Sequence, residues 1–170
     1  MPDARAPMKG ERRMNGGCHC GAIEVEVELS REPGELEVRA CSCSFCRRHG
    51  ASTISDPRGR VRLRAREPAE LGRYRFGPGT ADFLVCRRCG VYVAAVMPVD
   101  AHLVAIVNIN VLAGRERFAR EAAPVDYSAE SADQRIARRR ANWTPALWAD
   151  DAAPPQPPPP APKPPLPDLG

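Results

Sequence analysis

Seven cysteines in a chain of 170 residues fall into three groups, and none stands alone. Cys18 and Cys20 form CHC; Cys41, Cys43 and Cys46 lie in CSCSFC; Cys86 and Cys89 form CRRC, followed by Gly90. The first stretch, MPDARAPMKGERRMNGG, carries charges but no apolar run of the kind a secretory signal needs, so a reducing, cytoplasmic setting is expected. In that setting closely spaced thiols hold metal more often than they form disulfides, and an odd number cannot pair completely. A CxxC-Gly turn aims two thiolates at one ion while backbone amides donate to the sulfurs, and a CxC at a strand end supplies another pair.

Two partitions follow from these spacings. If Cys18 and Cys20 join Cys86 and Cys89 in a closed tetrahedral site, CSCSFC keeps three thiolates and an open position, the arrangement of catalytic zinc. Alternatively Cys43 and Cys46 join Cys86 and Cys89 in one ribbon-like site, leaving Cys18, Cys20 and Cys41 as free thiols. Iron–sulfur ligation fits less well, because the spacings match neither ferredoxin pattern. Of the imidazoles, His19 reads as a side chain pointing away between two ligands, and His102 as structural. His49, three residues after Cys46, is a candidate for the substrate side of the cluster.

The elements that must carry these thiols read mainly as β. IEVEVEL places Ile23, Val25, Val27 and Leu29 on one face and glutamates on the other, a half-buried strand. The same period recurs in ELEVRAC, through Leu36, Val38 and Ala40, and in RVRLRAR, through Val61, Leu63 and Ala65. Further strands are expected at Leu71 to Phe76, Ala81 to Val85, Val91 to Met97 and His102 to Ile109, separated by Gly- and Pro-containing turns. Ser131 with Gln134 forms a capping-box signal for one helix running to Asn142, with Ile136 and Trp143 on its buried side. Beyond Ala153 the chain is so rich in proline that polyproline II is its default, a disordered tail whose PxxP pattern could meet an aromatic-lined partner groove.

The net charge is +4, with arginines concentrated at Arg58 to Arg66 and Arg135 to Arg140. So mild an excess reads as solubility rather than nucleic-acid binding. No run approaches the length of a membrane-spanning helix.

Taken in order, GGCHCGAIEVEV, ACSCSFCRRHGA, FLVCRRCGVYV and VNINVL resemble the glutathione-dependent formaldehyde-activating enzyme family, which includes the centromere protein V domain. The resemblance covers residues 15–112. It implies a β-tent of short antiparallel strands with two zinc ions: a structural one on Cys18, Cys20, Cys86 and Cys89, and a catalytic one on Cys41, Cys43 and Cys46 with an open position. It also implies the condensation of glutathione with formaldehyde to S-hydroxymethylglutathione, a carbon–sulfur lyase reaction read in reverse. On this basis residues 1–14 are a flexible leader, 15–126 the zinc-binding β-tent domain, 127–150 a C-terminal helical segment and 151–170 the Pro-rich tail.

Glutathione brings two carboxylates, which makes Arg47 and Arg48, directly after Cys46, candidate substrate ligands beside His49. Asn108 and Asn110, two apart on one expected strand, share a face that could line the pocket. The stretch after the cluster, ASTISDPRGR, offers no aromatic wall. An all-thiolate zinc site is a weak Lewis acid, so holding the substrate sulfur as thiolate is favoured over polarising the aldehyde. Two other classes compete: a non-catalytic zinc module for protein or nucleic acid, for which exposed aromatics are few, and a thiol redox sensor releasing zinc on oxidation.

Overall fold

Alternating segments need a common floor, and here they find it in one branched sheet. A computed structural model describes residues 12–118 and 121–149. The described strands are β1 (Arg13–Gly17), β2 (Ile23–Glu28), β3 (Arg39–Cys41), β4 (Thr53–Ile54), β5 (Arg60–Ala65), β6 (Leu71–Tyr74), β7 (Asp82–Cys86), β8 (Tyr92–Val99), β9 (His102–Asn108), β10 (Ala123–Val125) and β11 (Thr144–Trp148). Two α-helices accompany them, α1 (Ser44–Arg48) and α2 (Ala132–Asn142). Among the described residues no helix is long and apolar enough to cross a membrane.

The strand order is β1-β2-β5-β11-β9-β4-β3-β10, with β8, β7 and β6 branching from the other edge of β9. Register on β2 and β5 sets Glu24 opposite Arg64, Glu26 opposite Arg62 and Glu28 opposite Arg60. The first arginine concentration is therefore half of a cross-strand charge ladder, with the apolar halves of both strands turned into the core. Strand β8 is apolar and buried on both sides from Tyr92 to Met97. Val93, Ala94 and Val96 enter the main core with Ile23, Val25, Leu63 and Leu84. Tyr92, Ala95 and Met97 enter a second core with Phe83, Cys46 and Trp143.

The capping box forms as expected: Ser131 Oγ accepts from Gln134 N at 3.2 Å, and Gln134 Oε1 accepts from Ser131 N at 2.9 Å. Ile136 and Trp143 both meet the second core. Several local expectations are corrected. Strand β1 begins at Arg13, inside the expected leader, and Met14 is buried; RMNGG shows no alternation to betray it. In ELEVRAC only Arg39–Cys41 pairs as a strand, and the second half of CSCSFC opens the helix Ser44–Arg48. Residues 127–150 hold not only α2 but β11, whose Pro145 argues against a strand in the sequence. The sheet is mainly antiparallel as expected, with two parallel pairings, β10 with β3 and β11 with β5. The Pro-rich tail lies outside the described residues.

At the start of β7, Asp82 is 3% exposed and receives Arg73 Nη1 at 3.2 Å as well as the Arg75 guanidinium. Removing one member of a buried ion pair leaves the other charge uncompensated. Asp82→Ala is therefore expected to lower the unfolding free energy by ~3–5 kcal/mol in urea titration. Arg66→Ala, which removes an exposed partner of Glu24, should change it by less than ~1 kcal/mol.

Candidate metal centres and the adjoining cavity

The seven thiols gather as four and three. Ligand atoms of Cys18, Cys20, Cys86 and Cys89 lie within 4.8 Å of one another, and so do those of Cys41, Cys43 and Cys46. The single ribbon-like site allowed by spacing is thus not formed, because Cys43 and Cys46 meet Cys41 instead.

Each pair of the first cluster sits on a tight turn closed by a glycine in the left-handed region, Gly21 (φ 79) and Gly90 (φ 75). The amide of Gly90 donates to Cys86 O at 2.8 Å, and that of Ile23 to Cys18 Sγ at 3.3 Å. Sulfur separations are 3.7 Å for Cys18–Cys20 and 3.5 Å for Cys20–Cys86. A tetrahedral ion with metal–sulfur bonds of ~2.3 Å needs ligand sulfurs ~3.8 Å apart, so the donor set fits one ion. Burial, reinforced by the Cys20 thiol, pushes Cys86 up to about 12. Against burial, the amides of Val91 and Cys20 hold Cys89 down at about 6.

The second cluster is built by a single helical turn. Cys41 ends β3, Cys43 caps α1 by accepting from Cys46 N at 3.4 Å, and Cys46 faces inward at 5% exposure. Phe45 plants this turn on the sheet: its ring centroid lies 4.9 Å from Phe83, 5.1 Å from Tyr92 and 5.3 Å from Phe76. Hydrogen bonds from Cys41 and Cys46 hold Cys43 down at about 2, while those with Cys41 and Cys43 drive Cys46 far up. Three thiols this close cannot all ionise without a cation among them, which is the chemistry of a metal-binding set. Tyr92, fully buried beside them, is kept neutral by burial and then by the three sulfurs.

A cavity of about 480 Å³ opens on this cluster and is lined by Cys41, Cys43 and Cys46. Its volume falls among small-molecule sites, ~300–1,000 Å³. Phe76, Phe83 and Trp143 supply the aromatic walls that the stretch after the cluster lacks, and that stretch contributes Thr53. Arg39, Arg135, Arg138 and Arg139 supply positive charge. Arg138 grips both oxygens of Glu130 at 2.6 and 3.0 Å and stacks over Tyr127 at 3.6 Å. Arg135 donates to Tyr127 O at 2.6 Å.

The expected substrate ligands Arg47, Arg48, His49 and Asn108 do not line this cavity. A turn that faces Cys43 and Cys46 inward carries the following residues outward, and Arg47, Arg48 and His49 are exposed. Asn108 is buried, donating from Nδ2 to Tyr92 O at 3.0 Å and accepting from Asn110 N at 3.2 Å. It ends β9, so Asn110 does not continue that strand. Missed in the sequence were Arg39, Phe76, Phe83 and the inner side of α2. The only signal for α2 was an arginine-rich run behind a capping box, which says nothing about what the helix packs against.

These features define a cysteine-rich β protein with two metal-competent thiol clusters, one of them opening on a ligand-sized cavity. The family model for glutathione-dependent formaldehyde-activating enzymes matches residues 13–127, and the chain belongs to that family. The crystal structure of a Rhodobacter sphaeroides protein is similar at 37% identity, with a TM-score of 0.50, over 66% of this chain and 100% of its own. All seven cysteines fall inside the matched residues, whereas α2 and β11 lie beyond them.

Phe45→Ala should cost about 3 kcal/mol in denaturant unfolding. Because the ring holds α1 to the sheet, the same variant should let a thiol reagent reach Cys46 under native conditions, where the parent protein resists it.

Proposed function

We propose that this protein is a zinc-dependent enzyme that forms or cleaves the carbon–sulfur bond of a thiol–aldehyde adduct, with S-hydroxymethylglutathione as the adduct the family name suggests. The observation that carries this reading is the cavity that opens directly on a cluster of three thiols rather than four. In this reading Cys18, Cys20, Cys86 and Cys89 hold a structural zinc, and Cys41, Cys43 and Cys46 a catalytic one with a corner left for substrate. The cytoplasm is the compartment that suits it, since reduced thiols and glutathione coexist there.

Zinc bound by three thiolates supplies a mild Lewis acid, suited to keeping a substrate sulfur ionised at neutral pH. The chain supplies the rest. Cys46, fixed by α1, and Cys41, fixed by β3, would hold the ion together with Cys43 where the cluster meets the cavity. Phe76, Phe83 and Trp143 restrict water beside the reacting sulfur and carbon. In condensation the sulfur–carbon bond forms as the aldehyde π bond opens, and the thiol proton is balanced by the one gained at the new hydroxyl. Cleavage reverses both. Holding the two reactants in one cavity lowers the entropic barrier to their meeting.

Two zinc ions per chain are expected in the purified protein and one in Cys43→Ser. Adduct formation from glutathione and ¹³C-labelled formaldehyde, followed by NMR, should fall in that variant by more than the ~10–100-fold that loss of an outer-sphere partner costs. A single zinc in the parent protein, undiminished turnover in Cys43→Ser, or equal aldehyde turnover without any thiol would each overturn the proposal.

A further inference from the structure

Among the described residues Arg139 is the one arginine that is buried as a whole, at 7% exposure, and it forms part of the cavity wall. Its Nη1 donates to Thr80 Oγ1 at 2.7 Å, and its guanidinium lies 4.8 Å over the Trp143 ring. Its Nε is buried with no acceptor, and among the described residues no carboxylate lies within ion-pair distance of it. The contrast with its surroundings is sharp. Glu130 serves Arg135 and Arg138, Asp82 serves Arg73 and Arg75, and the one acidic residue lining the cavity, Asp126, is exposed and receives Ser128 N at 2.8 Å. Burial, with Arg138 and Arg135 adding like charge, draws Arg139 down to about 10.

A buried cation that no carboxylate contacts directly, with Glu130 acting on it only from a distance, is a costly arrangement that an apolar side chain would avoid. Its place in the wall of a cavity means that an anion can reach it from inside. A planar fork of donors matches a carboxylate.

We propose that Arg139 anchors a carboxylate of the thiol substrate, so that the cavity selects anionic thiols of the glutathione class over neutral ones. The inference rests on the cavity being the substrate site, and not on the chemistry at the thiol cluster. It gives α2, which lies beyond the residues shared with the family, the part of specificity determinant.

The test uses S-methylglutathione, which has both carboxylates but no free thiol, and its dimethyl ester, each titrated calorimetrically into the full, metal-loaded chain. The diester should bind ~10–100-fold more weakly than the acid, the scale of losing a charge-assisted pair. Arg139→Met should weaken the acid by a similar factor and leave the diester unchanged, with Arg139→Lys intermediate. Without ligand, Arg139→Met should melt no lower than the parent protein, because it removes an uncompensated buried charge; a purely structural arginine would give the opposite. Equal binding of acid and diester, absence of acid binding at millimolar concentration, or equal loss of both ligands in Arg139→Met would overturn the anchor. The two proposals separate cleanly. Selective acid binding without adduct formation keeps the anchor and sinks the lyase reading; adduct formation with acid and diester bound alike does the reverse.

Discussion

From Tyr92 to Met97 strand β8 has no side that faces water, and much of the architecture answers that constraint. A strand apolar on both faces must be covered twice. One cover is the main core beneath β2, β5 and β9. The other is assembled largely from outside the sheet: the turn of α1 with the ring of Phe45, the ring of Phe76, and Trp143 at the end of α2, closed against Phe83 of β7. The three-thiol cluster and its cavity belong to this second cover. The candidate site lies where the protein already needed bulk.

The same logic sorts the charges. Arginines on β5 stand across from glutamates on β2, so the longer of the two arginine-rich runs is largely spent within the sheet. Arginines on α2 divide: Arg140 turns outward toward Asp100 at 3.4 Å, while Arg135, Arg138 and Arg139 turn toward the cavity. A small net charge therefore conceals a local positive field on one wall of the cavity.

Legibility in the sequence followed the range of the interaction. Period-two alternation made β2 and β5 visible, and Ser131 with Gln134 marked the start of α2, because each signal lies within a few residues. The cysteine spacings left two partitions open, and only the three-dimensional meeting of β7 with the β1–β2 turn separates them. Strands of two or three residues, such as β4 and β10, carry no period to detect. Arg47 and Arg48 attracted attention by adjacency to Cys46, yet a helical turn sends neighbours in sequence to opposite sides. Arg139 and Trp143 reach the cluster from far along the chain, through packing that no local pattern encodes.

Strand β11 has a consequence of its own. It follows α2, yet it is inserted between β5 and β9, parallel to one and antiparallel to the other. Until it arrives, two interior strands present bare edges, which are sites for wrong pairing. During synthesis the sheet therefore waits on one of its last segments, and contacts so distant in sequence form slowly. The keystone of the sheet and the α2 wall of the cavity are neighbours in the chain, so the pocket is completed only as the sheet is closed.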